Sequence, residues 1–323
     1  MDDDIVERSD AALHQVEVVA PASLSNMGPG FDSLGLCITG FADRIAVWPV
    51  EKPGVHIQAI EGPPLPRDAS RNTAAVAARH VLEMAGYTGG IGMRIRKGIP
   101  VGSGIGGSAA SAVGGAWAAN VLLGRPFSKE ELVEAVLAGE AVASGSVHGD
   151  NVLPALLGGL VLVYPEHPTR YVRILPHGVP VLVVLLPEVK ILTRQAREIL
   201  PEAVSLRTAV THAAHLAFLL HALQEGNWQE AARWMMQDRI VEPRRARLLP
   251  GYDAMRAAAL EAGAWGCVLS GSGPALFALA ASTPVAEEVR RRMLEAAREA
   301  GLRASAHIVG VNPVGVTEIT GKR

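Results

Sequence analysis

The chain has 323 residues, of which 49% are hydrophobic and 19% are charged, so it can bury a large core and long disordered regions are not expected. Its formal net charge is −2 and its longest apolar run is too short to span a bilayer, so neither a nucleic-acid partner nor a membrane partner is expected. The two cysteines, Cys37 and Cys267, lie in apolar contexts, which predicts reduced thiols in the core of a cytoplasmic protein.

The first half of the chain combines strand-like segments with a few helical ones. Residues 1–12 are acidic and lack an apolar stretch, so we expect a flexible tail there and no secretory signal. Two helices are predicted at 70–85, with Ser70 as the N-cap, and at 108–123. A capping box, Ser128 to Glu131, predicts the start of a third helix at 128–143. The predicted strands are 15–21, 35–50, 55–60, 91–100 and 158–165.

The second half follows a proline-rich stretch, and we place a domain boundary there, dividing 13–167 from 168–323. The apolar run at 179–187 predicts a buried strand, and residues 267–280 predict two strands around a Ser-Gly-Ser-Gly-Pro turn. Strands and helices do not alternate strictly, so the fold class is α+β. The remaining predicted elements are helices at 204–225, 227–240, 251–264 and 284–300, and strands at 304–311 and 314–319.

The glycine-rich stretch VGSGIGGSAAS at 101–111 admits several interpretations. Its G-x-G-x-x-G spacing suggests a dinucleotide site, but the loop comes too late in the chain and no acidic residue ends a strand about 20 residues later. A Walker A loop is excluded, because no Gly-Lys-Ser or Gly-Lys-Thr follows. An esterase elbow at Ser108 lacks its last glycine, although this alternative stays open. The glycines could also serve only to let helices pack closely.

A phosphate site is the fifth interpretation of this stretch. A strand, Pro100 and a flexible turn lead directly into a predicted helix, so backbone N–H groups and the positive end of the helix dipole would converge on an anion. Ser108 at the helix start could cap the helix or bind Mg²⁺.

One carboxylate in the third predicted helix favours the phosphate interpretation. Leu132, Val133, Val136 and Leu137 form an apolar stripe at helical spacing, and Glu140 falls in the middle of it. A buried carboxylate must be paired, protonated or bound to metal, unless the stripe ends there and the side chain reaches water. A magnesium ligand facing a phosphate loop explains its position best.

Several segments together resemble the homoserine kinases of the GHMP small-molecule kinase superfamily. The segments are PASLSNMGPGFDSLGL at 21–36, IPVGSGIGGSAAS at 99–111, HGDNVLPALLGG at 148–159, TRQAREILP at 193–201, EPRRARLLPGY at 242–252 and LSGSGPALFAL at 269–279. The order of these segments is specific to the family, and the resemblance covers almost the whole chain. The sequence departs from the family pattern at Gly107, where a serine is usual.

The resemblance implies a kinase that transfers phosphate from ATP to the side-chain hydroxyl of L-homoserine, a step towards threonine. It also implies a fold with two domains, an N-terminal one like the second domain of ribosomal protein S5 and a ferredoxin-like C-terminal one. A homodimer is compatible with the sequence. Another GHMP kinase, a serine hydrolase and a non-catalytic amino-acid sensor are the alternatives.

The resemblance also implies roles for individual residues. Ser108 and Glu140 would hold Mg²⁺ and, with Asn151, contribute to catalysis. Asn151 stands where related kinases have an aspartate base, so positioning and electrostatics would have to carry the reaction. Homoserine would bind to Asn26, Asp32, His148, Asn151, Arg197 and Arg245. ATP would bind to Asn72, Pro100, Val101, Gly102, Ser103, Gly104, Ile105, Gly106, Gly107, Ser108, Ala109 and Ala110.

Overall fold

A computed structural model describes residues 14–144 and 148–319 of the chain. The predicted tail at 1–12 lies outside the described residues. The strands, in chain order, are β1 (Val16–Ser25), β2 (Leu34–Val50), β3 (Gly54–Glu61), β4 (Gly90–Arg96), β5 (Leu160–Val163), β6 (Tyr171–Ile174), β7 (Val181–Pro187), β8 (Gly266–Leu269), β9 (Leu276–Ala280), β10 (Ala304–Val309) and β11 (Thr317–Glu318).

The helices lie mostly between these strands. They are α1 (Thr73–Met84), α2 (Gly107–Leu122), α3 (Val133–Ser144), α4 (Gly149–Leu157), α5 (Thr193–Glu198), α6 (Leu206–Gln224), α7 (Trp228–Met235), α8 (Glu242–Arg245), α9 (Tyr252–Glu261) and α10 (Thr283–Glu299). Among the described residues, no helix is both long enough and apolar enough to cross a bilayer.

The first sheet has seven strands and carries α2 and α4 against it. Its order is β11-β1-β2-β4-β3, with β5 paired to β2 and β6 paired to β5. The residue pattern of β4 explains why this strand forms. Ile91, Met93 and Ile95 are fully buried, while the alternate Arg94 and Arg96 are exposed. This alternation directs one face of the sheet into the core.

Helix α2 is buried on nearly all sides, which its small residues make possible. A side chain at Gly115 would lie 2.1 Å from the carbonyl oxygen of Ala74, and one at Gly114 would lie 2.5 Å from Ile45. Glycine and alanine therefore do allow α2 to pack closely against α1 and the sheet, as the packing interpretation proposed. Close packing accounts for the helix interior, whereas the loop before it faces a cavity.

The second sheet separates two cores. Its order is β10-β7-β9-β8, all antiparallel. In the central strand β7, Leu182 and Val184 face the core shared with the first sheet, while Val183 and Leu185 face a smaller core under α9 and α10. The continuous apolar run of β7 follows from this two-sided burial.

The sheets change later in the chain than the predicted domain boundary. Strand β6 follows residue 168 but pairs with β5 in the first sheet, and β11 near the end of the chain returns to pair with β1. The passage to the second sheet occurs between Ile174 and Val181. The domain bounds 13–167 and 168–323 stay predictions.

Three local expectations from the sequence were wrong or incomplete. The N-cap of α1 is Asn72 and not Ser70, which lies in a short 3-10 turn capped by Asp68. The capping box closes, with the Ser128 amide donating to Glu131 at 2.7 Å, yet α3 itself begins only at Val133. Helices α4, α5 and α8 and strand β6 were not predicted.

Candidate active site

A cavity of about 570 Å³ collects most of the residues singled out from the sequence. Both parts of the chain line it, from β1 and α2 on one side to α5, α8 and the β8–β9 turn on the other. Pro100, Ile105, Ala109 and Ala110 do not line it. The predicted residues that do are Asn26, Asp32, Asn72, Val101, Gly102, Ser103, Gly104, Gly106, Gly107, Ser108, Glu140, His148, Asn151, Arg197 and Arg245.

The glycine-rich loop ends in a helix N-terminus that opens onto the cavity. Gly102, Gly104 and Gly106 have φ values of 71°, 83° and 71°, a left-handed backbone that favours glycine. Gly106 is the N-cap of α2 and supplies no side chain to the first amides of the helix. These N–H groups therefore remain available for an anion at the positive end of a 16-residue helix.

The second glycine motif, residues 270–273, locks this loop in place. The Ser270 hydroxyl donates to the Gly104 carbonyl oxygen at 2.7 Å, and the Ala275 amide donates to the Ser103 carbonyl oxygen at 3.0 Å. A side chain at Gly104 would lie only 2.7 Å from the carbonyl oxygen of Gly273. The two motifs are thus in direct backbone contact.

Glu140 lies where the apolar stripe of α3 meets the start of α2. It is 7% exposed, and its neighbours Leu132 and Val136 are fully buried, so the predicted apolar surroundings are confirmed. The Ser108 hydroxyl donates to its Oε1 at 2.9 Å. Burial raises the pKa of Glu140 to about 8, and the bond from Ser108 offsets only part of this rise.

The Ser108–Glu140 pair fits a hard cation better than it fits a hydrolase nucleophile. Both groups present oxygen atoms, the donors that Mg²⁺ prefers, and a cation would stabilise the ionised carboxylate. Among the described residues, no group of three His, Cys, Asp or Glu side chains could hold a metal alone, so phosphate oxygens would have to complete the site. The Ser108 hydroxyl donates to a carboxylate, whereas a hydrolase serine would donate to a base such as histidine.

Asn151 is held by two serines of β1. Its Oδ1 accepts from the Ser23 hydroxyl at 2.9 Å, and its Nδ2 donates to the Ser25 hydroxyl at 2.9 Å. The preceding residue, Asp150, also lines the cavity, and burial raises its pKa to about 7. Asp150 was not among the site residues expected from the sequence, and α4, which carries it, was not predicted. The apolar spacing of Val152, Leu153, Leu156 and Leu157 was a signal that could have revealed this helix.

An ion pair occupies the opposite end of the cavity. Nη2 of Arg197 lies 2.9 Å from each oxygen of Asp32 and 2.9 Å from Nε2 of His148. Burial and the neighbouring guanidinium groups lower the pKa of His148, although Asp32 opposes them, so the imidazole is neutral near pH 7. Three residues predicted to bind one substrate therefore meet, although Asp32 and Arg197 are 165 positions apart in the chain.

Arg245 is the buried member of an arginine-rich run. It is 4% exposed, and its guanidinium donates to the carbonyl oxygens of Ala196 at 3.0 Å and of Gly271 at 2.9 Å. Asn26 donates to the same Gly271 oxygen at 2.9 Å. Burial lowers the pKa of Arg245 to about 10, which leaves it charged at neutral pH. Arg245 is therefore not part of a solvated arginine surface.

Asn72 lines the cavity and also caps α1. Its Oδ1 accepts from the amides of Ala74 and Ala75 at 3.1 and 3.3 Å, and its Nδ2 donates to the Pro66 carbonyl oxygen at 2.9 Å. This side chain therefore fixes the start of α1 and the segment at Leu65 and Pro66, which forms the cavity wall nearby.

Comparisons with known proteins match both parts of the chain to one family. Residues 72–159 match the family of GHMP kinases N terminal domains, and residues 219–299 match that of GHMP kinases C terminal domains. The two matches span the phosphate loop and most of the second part.

Several similar proteins are named homoserine kinase. The homoserine kinase of Pyrococcus abyssi is 40% identical over 89% of this chain and 94% of its own length. That of Xylella fastidiosa is 40% identical over 92% of each chain. The crystal structure of homoserine kinase from Cytophaga hutchinsonii superposes with a TM-score of 0.91 at 37% identity, covering 94% of this chain and 97% of that one. The expected α+β fold of two domains is confirmed by this match.

Proposed function

Because the chain belongs to the homoserine kinase family of the GHMP kinases, we propose that its cavity is the site where ATP phosphorylates the side-chain hydroxyl of L-homoserine. The product is O-phospho-L-homoserine, and the reaction belongs to threonine biosynthesis. One observation carries the assignment of the site. A single cavity holds a helix N-terminus with the Ser108–Glu140 pair at one end and the Asp32–Arg197 pair with Arg245 at the other.

The charged end of the cavity suits a zwitterionic amino acid. Asp32 can bind an ammonium group, while Arg197 and Arg245 can bind a carboxylate with their forked donors. In this structure Asp32 and Arg197 bind each other. The substrate would therefore exchange that contact for two new ones, which favours ligands that carry both charges.

The glycine-rich end suits the phosphates of ATP. The amides at the start of α2 would hold phosphate oxygens, and Ser108 and Glu140 would hold Mg²⁺. When bound there, Mg²⁺ would neutralise phosphate charge. The resemblance implies that Asn72 would lie near the adenine, and Pro66, to which it donates a hydrogen bond, lines the same cavity.

These residues can catalyse the reaction by positioning the reactants and by electrostatic stabilisation. An amide cannot act as a general base, so Asn151 would orient the hydroxyl group, and the two serines of β1 fix its direction. The cations Arg197 and Arg245 hold the substrate, and the fixed N–H groups of α2 stabilise charge on the transferred phosphoryl group. The hydroxyl proton would pass to a phosphate oxygen or to water.

Cellular location and assembly complete the proposal. Cys37 and Cys267 are free and buried, which supports the reduced thiols of a cytoplasmic protein. The homodimer stays a prediction, and light scattering of the purified protein would measure it.

A coupled assay of ADP release tests the proposed reaction. We expect MgATP-dependent turnover with L-homoserine and not with mevalonate, galactose or shikimate, and mass spectrometry should identify the phosphorylated product. Absence of stimulation by homoserine would overturn the proposal and leave the amino-acid sensor. Labelling of the protein by a fluorophosphonate that is lost in Ser108→Ala would support the hydrolase alternative.

A further inference from the structure

A buried ion pair lies beneath the phosphate loop, and none of the sequence motifs predicted it. Nζ of Lys97 donates to Oδ2 of Asp43, and these side chains are only 3% and 0% exposed. The neighbouring pair of Arg96 with Glu61 has side chains 53% and 44% exposed, as is usual for ion pairs at a surface. Lys97 also lines the cavity beside Ser108.

Every hydrogen of the Lys97 ammonium group has an acceptor in the protein. Besides Asp43, Nζ donates to the Gly107 carbonyl oxygen at 2.8 Å and to the Ser111 hydroxyl oxygen at 2.9 Å. An ammonium group has three hydrogens, so these three bonds use them all. The Ser111 hydroxyl in turn donates to Oδ2 of Asp43 at 2.8 Å.

The carboxylate connects this group to the other end of the loop. Oδ1 of Asp43 accepts from the amides of Gly98 at 3.1 Å and Ile99 at 3.2 Å, the residues that precede Pro100. Gly107 is the first residue of α2. The ion pair between Asp43 of β2 and Lys97, which follows β4, therefore contacts both ends of the phosphate loop.

The contact with Gly107 sets the direction of a neighbouring amide. The carbonyl of Gly107 and the N–H of Ser108 belong to the same planar trans peptide, so they point in opposite directions. In α2 the Gly107 carbonyl points along the helix axis towards the C-terminal end, where Lys97 binds it. The Ser108 N–H therefore points away from Lys97, towards the N-terminal end of α2 and the cavity. A positive charge on the carbonyl also polarises the peptide and strengthens its N–H as a donor.

Stability alone does not account for an ion pair at this position. Removing two charges from water is costly, and apolar side chains of similar volume often stabilise a protein equally well. The ion pair adds charge and direction, which an apolar contact cannot supply.

We propose that Lys97, Asp43 and Ser111 are positioning residues for the ATP phosphates. Lys97 holds the Gly107–Ser108 peptide with its N–H directed at the bound phosphate, and it acts through this peptide rather than by contact with the nucleotide. The inference rests on the proposed function for the identity of the nucleotide. It assigns a role to a charge cluster at the base of the loop, of which Lys97 and Ser111 also line the cavity.

The double variant Lys97→Met with Asp43→Asn tests the role without leaving a buried charge. Asparagine keeps an oxygen for the amides of Gly98 and Ile99, so we expect a melting temperature close to that of the unaltered protein. The Kd for MgADP and the KM for ATP should rise about tenfold, as loss of one well-directed charge-assisted contact implies. The KM for homoserine should stay within about twofold. The matched control Arg96→Met removes an exposed pair next in sequence and should change none of these values.

Two further results decide the proposal. A folded double variant that binds MgADP as well as the unaltered protein overturns it. If the double variant does not fold, Ser111→Ala replaces it, with an expected rise of about threefold in the Kd for MgADP and a lower melting temperature, because Lys97 loses a buried acceptor; unchanged affinity again overturns the proposal. Calorimetric binding of MgADP needs no acceptor substrate, so this outcome is independent of whether homoserine is phosphorylated.

Discussion

Glu140 is an acid on an apolar helix face, and its position in α3 determines both its burial and its partner. The residue faces α2 because it lies on the same stripe as Leu132 and Val136. Burial then raises its pKa, so the nucleotide-free protein disfavours the ionised form. A bound cation would reverse this preference.

The substitution Glu140→Gln should reduce kcat at least about 100-fold, because a neutral amide cannot replace a carboxylate in holding Mg²⁺. The melting temperature should stay the same or rise, since a buried titratable group is removed. Coupled kinetics and thermal unfolding measure both effects. The control is Glu134→Gln on the exposed side of the same helix, where no change is expected, and turnover near normal in Glu140→Gln would remove this residue from the metal site.

Neighbouring glycines in the loop should respond differently to substitution. Gly107 has no left-handed φ, and its added Cβ would lie 3.3 Å from the Ile99 side chain. Gly107→Ser, which restores the family's usual residue, should fold and keep turnover, with a KM for ATP equal to or a few-fold below normal. Gly106 has a φ of 71° and its Cβ would lie 2.3 Å from the Ser23 hydroxyl, so Gly106→Ala should lose most activity and some stability. If Gly107→Ser and Gly106→Ala gave the same kinetics and the same melting curves, this distinction would be contradicted.

The start of α1 shows how one side chain can serve an element and a site together. Asn72→Ala should lower the free energy of unfolding by about 1 kcal/mol, because two amides of the first turn lose their acceptor. Asn72→Asp should keep the cap and most of the stability while losing the bond to Pro66. Urea unfolding measures the stability and the KM for ATP measures the site. Equal stability of the alanine and aspartate variants would show that the cap contributes nothing.

Elements with clear alternation or capping signals could be predicted from the sequence, and short helices could not. The strands around the 270–273 turn and helix α10 match their predicted positions closely, because alternation and capping signals were strong. Helices α4 and α5 have only nine and six residues, and Pro154 interrupts the pattern of the first. Helices this short contain too few residues for their periodicity to be recognised in the sequence.

The candidate site was predictable as a set of residues but not as a set of contacts. Glu140 emerged from the apolar stripe alone, and the family resemblance supplied Asp32 and Arg197. Their mutual ion pair depends on tertiary folding, which local patterns do not report. Lys97 and Asp43 carried no signal, because a single lysine beside exposed arginines in β4 resembles an ordinary solvated face.

At the scale of the whole molecule, buried acids should make stability fall as pH rises. Burial raises the pKa of Glu242 to about 7, beside Tyr252, Asp238 and Arg256, and that of Asp150 to about 7. The unfolded chain releases these protons near pH 4, so the folded protein binds more protons between about pH 4 and 7 and loses stability through that window. The metal- and nucleotide-free protein should therefore melt at a lower temperature at pH 8 than at pH 5.

The variant Glu242→Gln isolates one of these groups. Glutamine keeps an oxygen for the Leu269 amide and does not titrate, so the decrease in melting temperature between pH 5 and 8 should be smaller than in the unaltered protein. His148, whose pKa is lowered, acts in the opposite direction in both proteins and cancels in the comparison. An identical pH dependence in the two would assign the effect to other residues.

The direct backbone contact between Gly104 and Gly273 limits how new kinases could be built from this one. A side chain at Gly104 would lie 2.7 Å from the carbonyl oxygen of Gly273, and one at Gly271 would lie 3.3 Å from that of Gly104, so a larger residue at either position requires the other loop to move. A chimera that joins the nucleotide half of one family member to the acceptor half of another must therefore take both loops from the same parent. Exchange of acceptor specificity between relatives is expected to succeed by replacing α5 and α8 within one parent, and to fail when the exchange separates the two loops.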